Sequence, residues 1–252
     1  MRSVVATRRL AAALALWTVC AALASGCKSV LPRQYEYDEE VTLSLDGSAV
    51  VYVNGSIPAL VALRGLEHDL GPTARLDRAA IRNFFSSDVA RVTRISSSRR
   101  NGRRFLHIRL AVQDIRRLSE SAPFSWATYS LTENGSTVVY KQTVRAAVGR
   151  DVGDVGWKGN ELVAFRMHMP ARIQYHDAPS KQVERGNILV WEQSLAERLK
   201  GRPINIEARM ESESILYTTV TLFAAMAVVV LALFAGIIWW VIRKGKKEQD
   251  IA

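Results

Sequence analysis

Four histidines, His68, His107, His168 and His176, are the first residues to weigh for catalysis or metal binding. None falls in a His-Glu-x-x-His arrangement, which would put two imidazoles on one helical face. Strand alternation from Leu162 onward places Arg166 and His168 on one face and Phe165, Met167 and Met169 on the other. With Arg166 and Arg172 close by, a cationic metal would be poorly served there, and the bland alternative is a solvated strand face. The adjacent pair His176-Asp177 is the chemistry that orients an imidazole, but no Gly-x-Ser-x-Gly elbow supplies a nucleophile for it. The glycines at 149, 153, 156 and 159 match neither common phosphate-cradle spacing and read as a mobile loop beside Trp157. From the residues, then, we expect no catalytic constellation, no metal and no cofactor: not an enzyme.

A different chemistry is written at the N-terminus. Arg2, Arg8 and Arg9 precede an uncharged, alanine-rich run from Leu10 to Leu23, which closes on Leu23-Ala24-Ser25-Gly26-Cys27. Basic, then apolar, then small residues describes a secretory signal. The closing five residues resemble a bacterial lipobox, whose cysteine is acylated and becomes the first mature residue; Ala24 stands where that pattern prefers leucine. Cleavage without acylation and an uncleaved anchor are the other readings. Seven alanines against five Leu or Val between Leu10 and Cys27 favour cleavage. All three export the middle of the chain. Cys20 and Cys27 are the only cysteines, so the exported part has no intrachain disulfide and must be stabilised by a packed core.

Arginine supplies the strongest surface signal. Nine arginines and a single acid, Asp114, lie between Arg91 and Arg117. Arg99, Arg100, Arg103 and Arg104 flank Asn101-Gly102, a turn dipeptide, at the tip of an expected hairpin. A guanidinium fork makes bidentate bonds to phosphate, so these four are candidate residues for an anionic surface, with their packing expected to be indifferent to substitution. The net charge of +10 falls to +5 once the three leader arginines and the net +2 of the tail after Ile242 are set aside. An exported basic domain meets no nucleic acid; its anionic counterpart is a membrane face or an acidic envelope polymer.

The C-terminus carries the anchor. No charged side chain occurs from Ile215 to Ile242, and Arg243, Lys244, Lys246 and Lys247 follow at once. Twenty-eight helical residues rise about 42 Å, more than the ~30 Å hydrocarbon core requires. The thirteen Leu, Ile, Val and Phe residues from Val220 to Ile242 favour insertion by roughly 4–8 kcal/mol. Tyr217 and Trp239-Trp240 stand at the interfacial positions, and the basic cluster marks the C-terminal side as cytoplasmic. Ala232 and Gly236 form a small-x-x-x-small pair suited to close helix packing.

Between the two ends the chain alternates as antiparallel strands. Hairpins are expected around Asp46-Gly47, Asn101-Gly102 and Asn134-Gly135, with further strands over 161–169, 188–191 and 204–210. Helices are expected over 73–85 and 192–200, with a short helical turn over 113–119. The fold class is α+β: a mainly antiparallel sheet of seven to nine strands with two or three packed helices, plus one C-terminal transmembrane helix. The expected organisation is a signal peptide (1–26), an acylated tether (27–34), an extracytoplasmic domain (35–212), the membrane helix (213–242) and a cytoplasmic tail (243–252).

The run Leu162-Val-Ala-Phe-Arg-Met-His-Met-Pro170, the strand Gly186-Asn-Ile-Leu-Val-Trp191 and the strand from Ile204 to Met210 resemble the end of the LppM-type lipoprotein domain family. The hairpin at Asp46-Gly47 resembles that family's opening. The resemblance implies an envelope lipoprotein with a sheet-and-helix domain likened to lipid-cavity folds, carries no catalytic activity and assigns no residue. Two functions follow as expectations. One is a membrane-anchored, non-catalytic binding module for a lipid, an amphiphile or the anionic envelope surface. The other is an assembly subunit whose helix pairs with a membrane-protein partner.

Overall fold

A computed structural model describes residues 34–71 and 74–249. The leader and Cys27 lie outside the described residues, as do the side chains of Tyr217 and of the basic cluster from Arg243 to Lys247. Residues from Tyr35 onward form one unit.

Ten strands are found among the described residues, in two sheets rather than one. They are β1 (Tyr35–Leu43), β2 (Ala49–Ser56), β3 (Ala90–Arg100), β4 (Arg103–Val112), β5 (Ala127–Asn134), β6 (Thr137–Val144), β7 (Leu162–His168), β8 (Ala171–His176), β9 (Ile188–Ser194) and β10 (Ile204–Ser214). The larger sheet runs β3-β4-β2-β1-β7-β9, and the smaller runs β5-β6-β10-β8. Every pairing is antiparallel except β1 with β7. The α+β class therefore stands; one unexpected strand, β8, brings the count to ten, and β3 is longer than expected. β8 is an edge strand with only Ala171 of its six residues buried, so it carries no apolar alternation to read. β3 runs on through three serines to Arg100, because β4 continues to pair with it as far as Arg100 opposite Arg103.

Among the described residues four α-helices accompany the sheets: α1 (Ile57–Arg64), α2 (Arg78–Phe85), α3 (Leu195–Leu199) and α4 (Ile215–Gln249). α1 was not expected. Seven of its eight residues are buried, leaving no polar face to give a helical period. Its ends are nevertheless well signalled: Ser56 Oγ accepts from the Ala59 amide, and Gly65 closes it in the left-handed region at φ 74°. α2 starts later than its periodicity suggested because Asp77 caps it, accepting from the amides of Ala79 and Ala80. Its buried face is Ile81 and Phe85.

The inner faces of the sheets pack against each other. Tyr37, Trp126 and Phe165 meet at the centre with ring separations of 5.8–6.1 Å. Side chains thus occupy the middle of the space between the sheets, where a lipid-cavity fold would be open. Charge is also buried here. Arg64, at the end of α1, is ion-paired to Glu39 of β1, donates to the Tyr37 hydroxyl, and stacks 4.3 Å from the Trp126 ring centre. Both members of the pair are at most 1% exposed.

Strand directions fix what lies at each end. Ser214 pairs with Ala171, Thr42 with His168, Leu43 with Ala49, and Ala49 with Val112. One end of the domain therefore gathers the exit of β10 and the turns after β1 and β7. The β3–β4 turn lies at the opposite end, nine residues of β4 away, about 30 Å. Tyr35, where the described domain begins, is also at that far end. No residue separates β10 from α4. Within α4, Thr219–Trp240 is long and apolar enough to cross a membrane.

Candidate anion-binding site

The β3–β4 turn forms as its residues suggest. Asn101 and Gly102 both take positive φ, 50° and 74°, which matches a two-residue turn to strand twist. The four flanking arginines are not equivalent, however. Arg99 is exposed, with no hydrogen-bond or ion-pair partner among the described residues. Arg100 donates to the Tyr35 carbonyl and lies 4.2 Å from the Phe105 ring centre. Arg104 donates to the Ala74 carbonyl at 2.9 Å. Arg103 is 13% exposed; it faces the buried Glu36 carboxylate at 2.9 Å and donates to the Gly156 carbonyl at 2.9 Å. The expectation that all four splay into solvent is corrected: a long-range acid, invisible in local spacing, captures Arg103.

That capture also explains the glycine-rich segment, expected to be mobile. Glu161 accepts from the amides of Lys158 and Gly159 at 2.7 and 2.8 Å, and the Trp157 indole donates to Glu36 at 3.3 Å. At its start, Gly149 passes so close to α1 that a Cβ would sit 2.0 Å from the Val61 carbonyl oxygen. The segment is a wall, tied to the hairpin by Arg103.

Two clefts open at this end. One, of about 710 Å³, is lined by Arg75, Arg78, Arg99 and Arg104 with Ser97 and Ser98, and by no carboxylate. The other, of about 430 Å³, shares Arg99 and Arg104 with it. Its apolar lining comes from Ile57, Pro58, Leu70, Val152 and Val155, and Asp69, Asp154 and His68 add polar groups. Arg75 and Arg78 are exposed and, like Arg99, lack a partner among the described residues. Sequence reading missed both, because the loop before α2 is brought against the hairpin only in three dimensions. Unpaired guanidinium groups converging beside hydroxyls can hold phosphate or carboxylate oxygens by charge-assisted, bidentate bonds.

Nearby histidines do other things. On the outward face of the larger sheet, Ser98 Oγ lies 2.8 Å from His107 Nε2, and His107 Nδ1 lies 3.0 Å from Asn54 Oδ1. Burial, reinforced by the Arg100 charge, pushes the His107 pKa below its ordinary value, so the ring is neutral at pH 7. A neutral ring with Nδ1–H donated to Asn54 leaves Nε2 to accept from Ser98. Only strand register reveals this relay. Arg166 and His168 share a face as expected and pair with Asp38 and Glu40 of β1. Burial raises the Asp38 pKa, against the lowering effect of Arg166. Asp177 does not serve His176; its Oδ1 accepts from the Trp191 indole and the Glu207 amide, both at 2.9 Å. Among the described residues no group of three or more His, Cys, Asp or Glu is placed to hold a metal.

No family model matches the chain, and no curated protein matches it. Among solved structures it is similar to the folded domain of LppM from Mycobacterium tuberculosis, determined by NMR. The TM-score is 0.39 at 12% identity, covering 74% of this chain and 95% of that one. The likeness is structural and transfers no residue role.

Proposed function

We propose that the protein is a membrane-anchored extracytoplasmic lipoprotein whose domain is a non-catalytic binding module for an anionic amphiphile or the anionic envelope surface. The observation that carries this reading is the convergence of Arg75, Arg78 and Arg99, all without partners among the described residues, on a cleft adjoining an apolar-lined pocket. Unpaired surface charge of one sign is ordinarily interspersed with the other; here Arg104 adds a fourth cation at the junction and no acid lines the basic cleft. Arg100, Arg103 and Arg104 position the hairpin, Tyr35 and the glycine segment, while Arg75, Arg78 and Arg99 meet the ligand. In this reading Cys27 is acylated and residues 219–240 span the bilayer with the C-terminus in the cytoplasm.

Native mass spectrometry of the full chain purified from membranes tests it. Wild type carries an anionic adduct, and the Arg75→Gln/Arg78→Gln/Arg99→Gln variant, folded to the same extent, loses it. An adduct retained unchanged by the variant contradicts the site.

An assembly role is the second reading. Ala232 and Gly236 are exposed along the helix, and a Cβ at Gly236 meets nothing within 4 Å, leaving a flat strip open to another helix.

A further inference from the structure

The outward face of the larger sheet carries a polar row that the basic cleft does not use. It crosses five strands, from Ser98 on β3 through His107 on β4, Asn54 on β2 and Asp38 on β1 to Arg166 on β7. Strand register puts these side chains on one face. His107 lies opposite Asn54 on one side and Ser96 on the other, and Asn54 lies opposite Asp38. Ser98 stands two residues beyond Ser96, on the same face, and is exposed.

The protons along this row have one consistent arrangement. Arg166 is ion-paired to Asp38, and an ionised carboxylate only accepts. Asn54 hydrogen-bonds that carboxylate, so its amide NH2 is turned toward Asp38. Asn54 Oδ1 is then left to face His107 Nδ1 at 3.0 Å, and the ring carries its proton on Nδ1. Nε2 keeps a bare lone pair 2.8 Å from Ser98 Oγ, and the hydroxyl donates to it. A hydroxyl bonded to a base that a third group orients is the geometry of an activated nucleophile. Arg100 follows Ser98 on the same face, and its charge reaches the ring. Negative charge developing beside Ser98 therefore forms in a cationic field.

We propose that Ser98 is an acyl-acceptor site, taking an acyl group from an activated ester with His107 as its base and Asn54 as the residue that positions that base. In the transfer Ser98 Oγ forms a bond to the acyl carbon, and the bond from that carbon to the leaving oxygen breaks with its electron pair. The hydroxyl proton passes to His107 Nε2 and from there to the leaving oxygen. The products are an acylserine ester on the chain and the free alcohol or phenol of the donor. This is one transfer onto the protein itself, so it goes beyond the binding-module reading and depends on none of Arg75, Arg78 and Arg99. The charged and titratable groups near the ring on this face are Arg94 and Arg100 of β3, Arg109 of β4, Tyr52 of β2 and, beyond Asn54, the paired Asp38 of β1. Burial, then the Arg100 charge, opposes a second proton on the ring and keeps it a base at pH 7.

The test treats the full chain in detergent with p-nitrophenyl acetate and locates the acetyl group by peptide mass spectrometry. Ser97 and Ser96 are internal controls that need no variant; Ser96 lies opposite the same ring with no hydrogen bond to it among the described residues. General-base assistance is typically worth about 10²–10⁴-fold, so Ser98 should be acetylated at least about a hundredfold faster than either neighbour. His107→Gln and Asn54→Leu, each folded by near-UV circular dichroism, should slow acetylation of Ser98 at least about tenfold. Ser98→Ala should remove the labelled site and leave labelling elsewhere unchanged. The wild-type rate at Ser98 should rise with pH through a midpoint below 6.5 and be level from pH 7 to 8. Acetylation of Ser98 no faster than that of Ser96 and Ser97 would overturn the proposal. So would a rate unchanged in His107→Gln, or one that still climbs in proportion to hydroxide above pH 7, the mark of a serine without a base.

Discussion

Replacing Arg64 by Met should cost the domain about 3–5 kcal/mol. Arg64 and Glu39 are essentially unexposed, and Glu39 holds no other cation in an ion pair among the described residues. Removing one member of a buried pair leaves the other's charge without compensation, and that residual burial sets the cost. Methionine keeps most of the stem's volume, so the cavity contribution is small. The lost stacking of the guanidinium against Trp126, Phe124 and Tyr37 acts in the same direction. For a domain of this size 1 kcal/mol shifts Tm by about 2–4 °C, so the variant should melt roughly 10 °C lower. The partner substitution separates charge from packing. In Glu39→Gln/Arg64→Met no ion remains, the Tyr37 hydroxyl keeps a neutral partner, and at least about 2 kcal/mol should return. Thermal and urea unfolding of the full chain in detergent, followed by near-UV circular dichroism, reads both variants. A single-variant cost below about 1 kcal/mol, or a double variant no more stable than the single, would refute the argument.

Arg103→Gln should destabilise the domain by at least about 2 kcal/mol through loss of its contact with buried Glu36, whereas exposed Arg99→Gln should stay within about 0.5 kcal/mol; parallel melts decide it, and equal effects would restore the equivalence of the hairpin arginines. His107 should give a pH signature. Its pKa is lowered on folding by burial and then Arg100, so its stabilising contribution is complete above its ordinary value of 6.5 and is lost as pH falls through the lowered folded value. The Tm difference between wild type and His107→Gln should therefore be larger at pH 8 than at pH 5, and a constant difference would count against it. Gly236→Ile should abolish any helix-mediated oligomer seen by crosslinking in nanodiscs while leaving domain unfolding unchanged; an unaltered oligomer would remove the Ala232–Gly236 face as its basis.

What the sequence made legible follows from how local each signal is. Asn101-Gly102 specifies its own turn, and the apolar run before Arg243 declares a membrane-length helix, since both depend on neighbours only. The faces of β7 were readable for the same reason: Phe165 and Met167 are buried while Arg166 and His168 pair across to β1. α1 was hidden because burial on all sides removes periodicity. The division into two sheets was hidden because the chain passes at Pro170 from β7 of the larger sheet to β8 of the smaller, an edge strand with little apolar alternation. In the site, charge density identified the hairpin, but pairing sorted its members: Arg103 is claimed by Glu36, 67 positions away, and Arg75 and Arg78 are the cations that line the cleft beside Arg99. The Ser98–His107–Asn54 relay needed the register of three strands.

Hydrogen–deuterium exchange of the full chain in neutral nanodiscs, with and without a saturating polyanionic ligand, tests the central claim most directly. Protection should appear in the peptides covering 74–78 and 97–104, and replacing Arg75, Arg78 and Arg99 with Gln should erase it. Protection confined to the turns at the opposite end, around 44–48 and 134–136, or unchanged in the variant, would contradict a binding module built on these arginines.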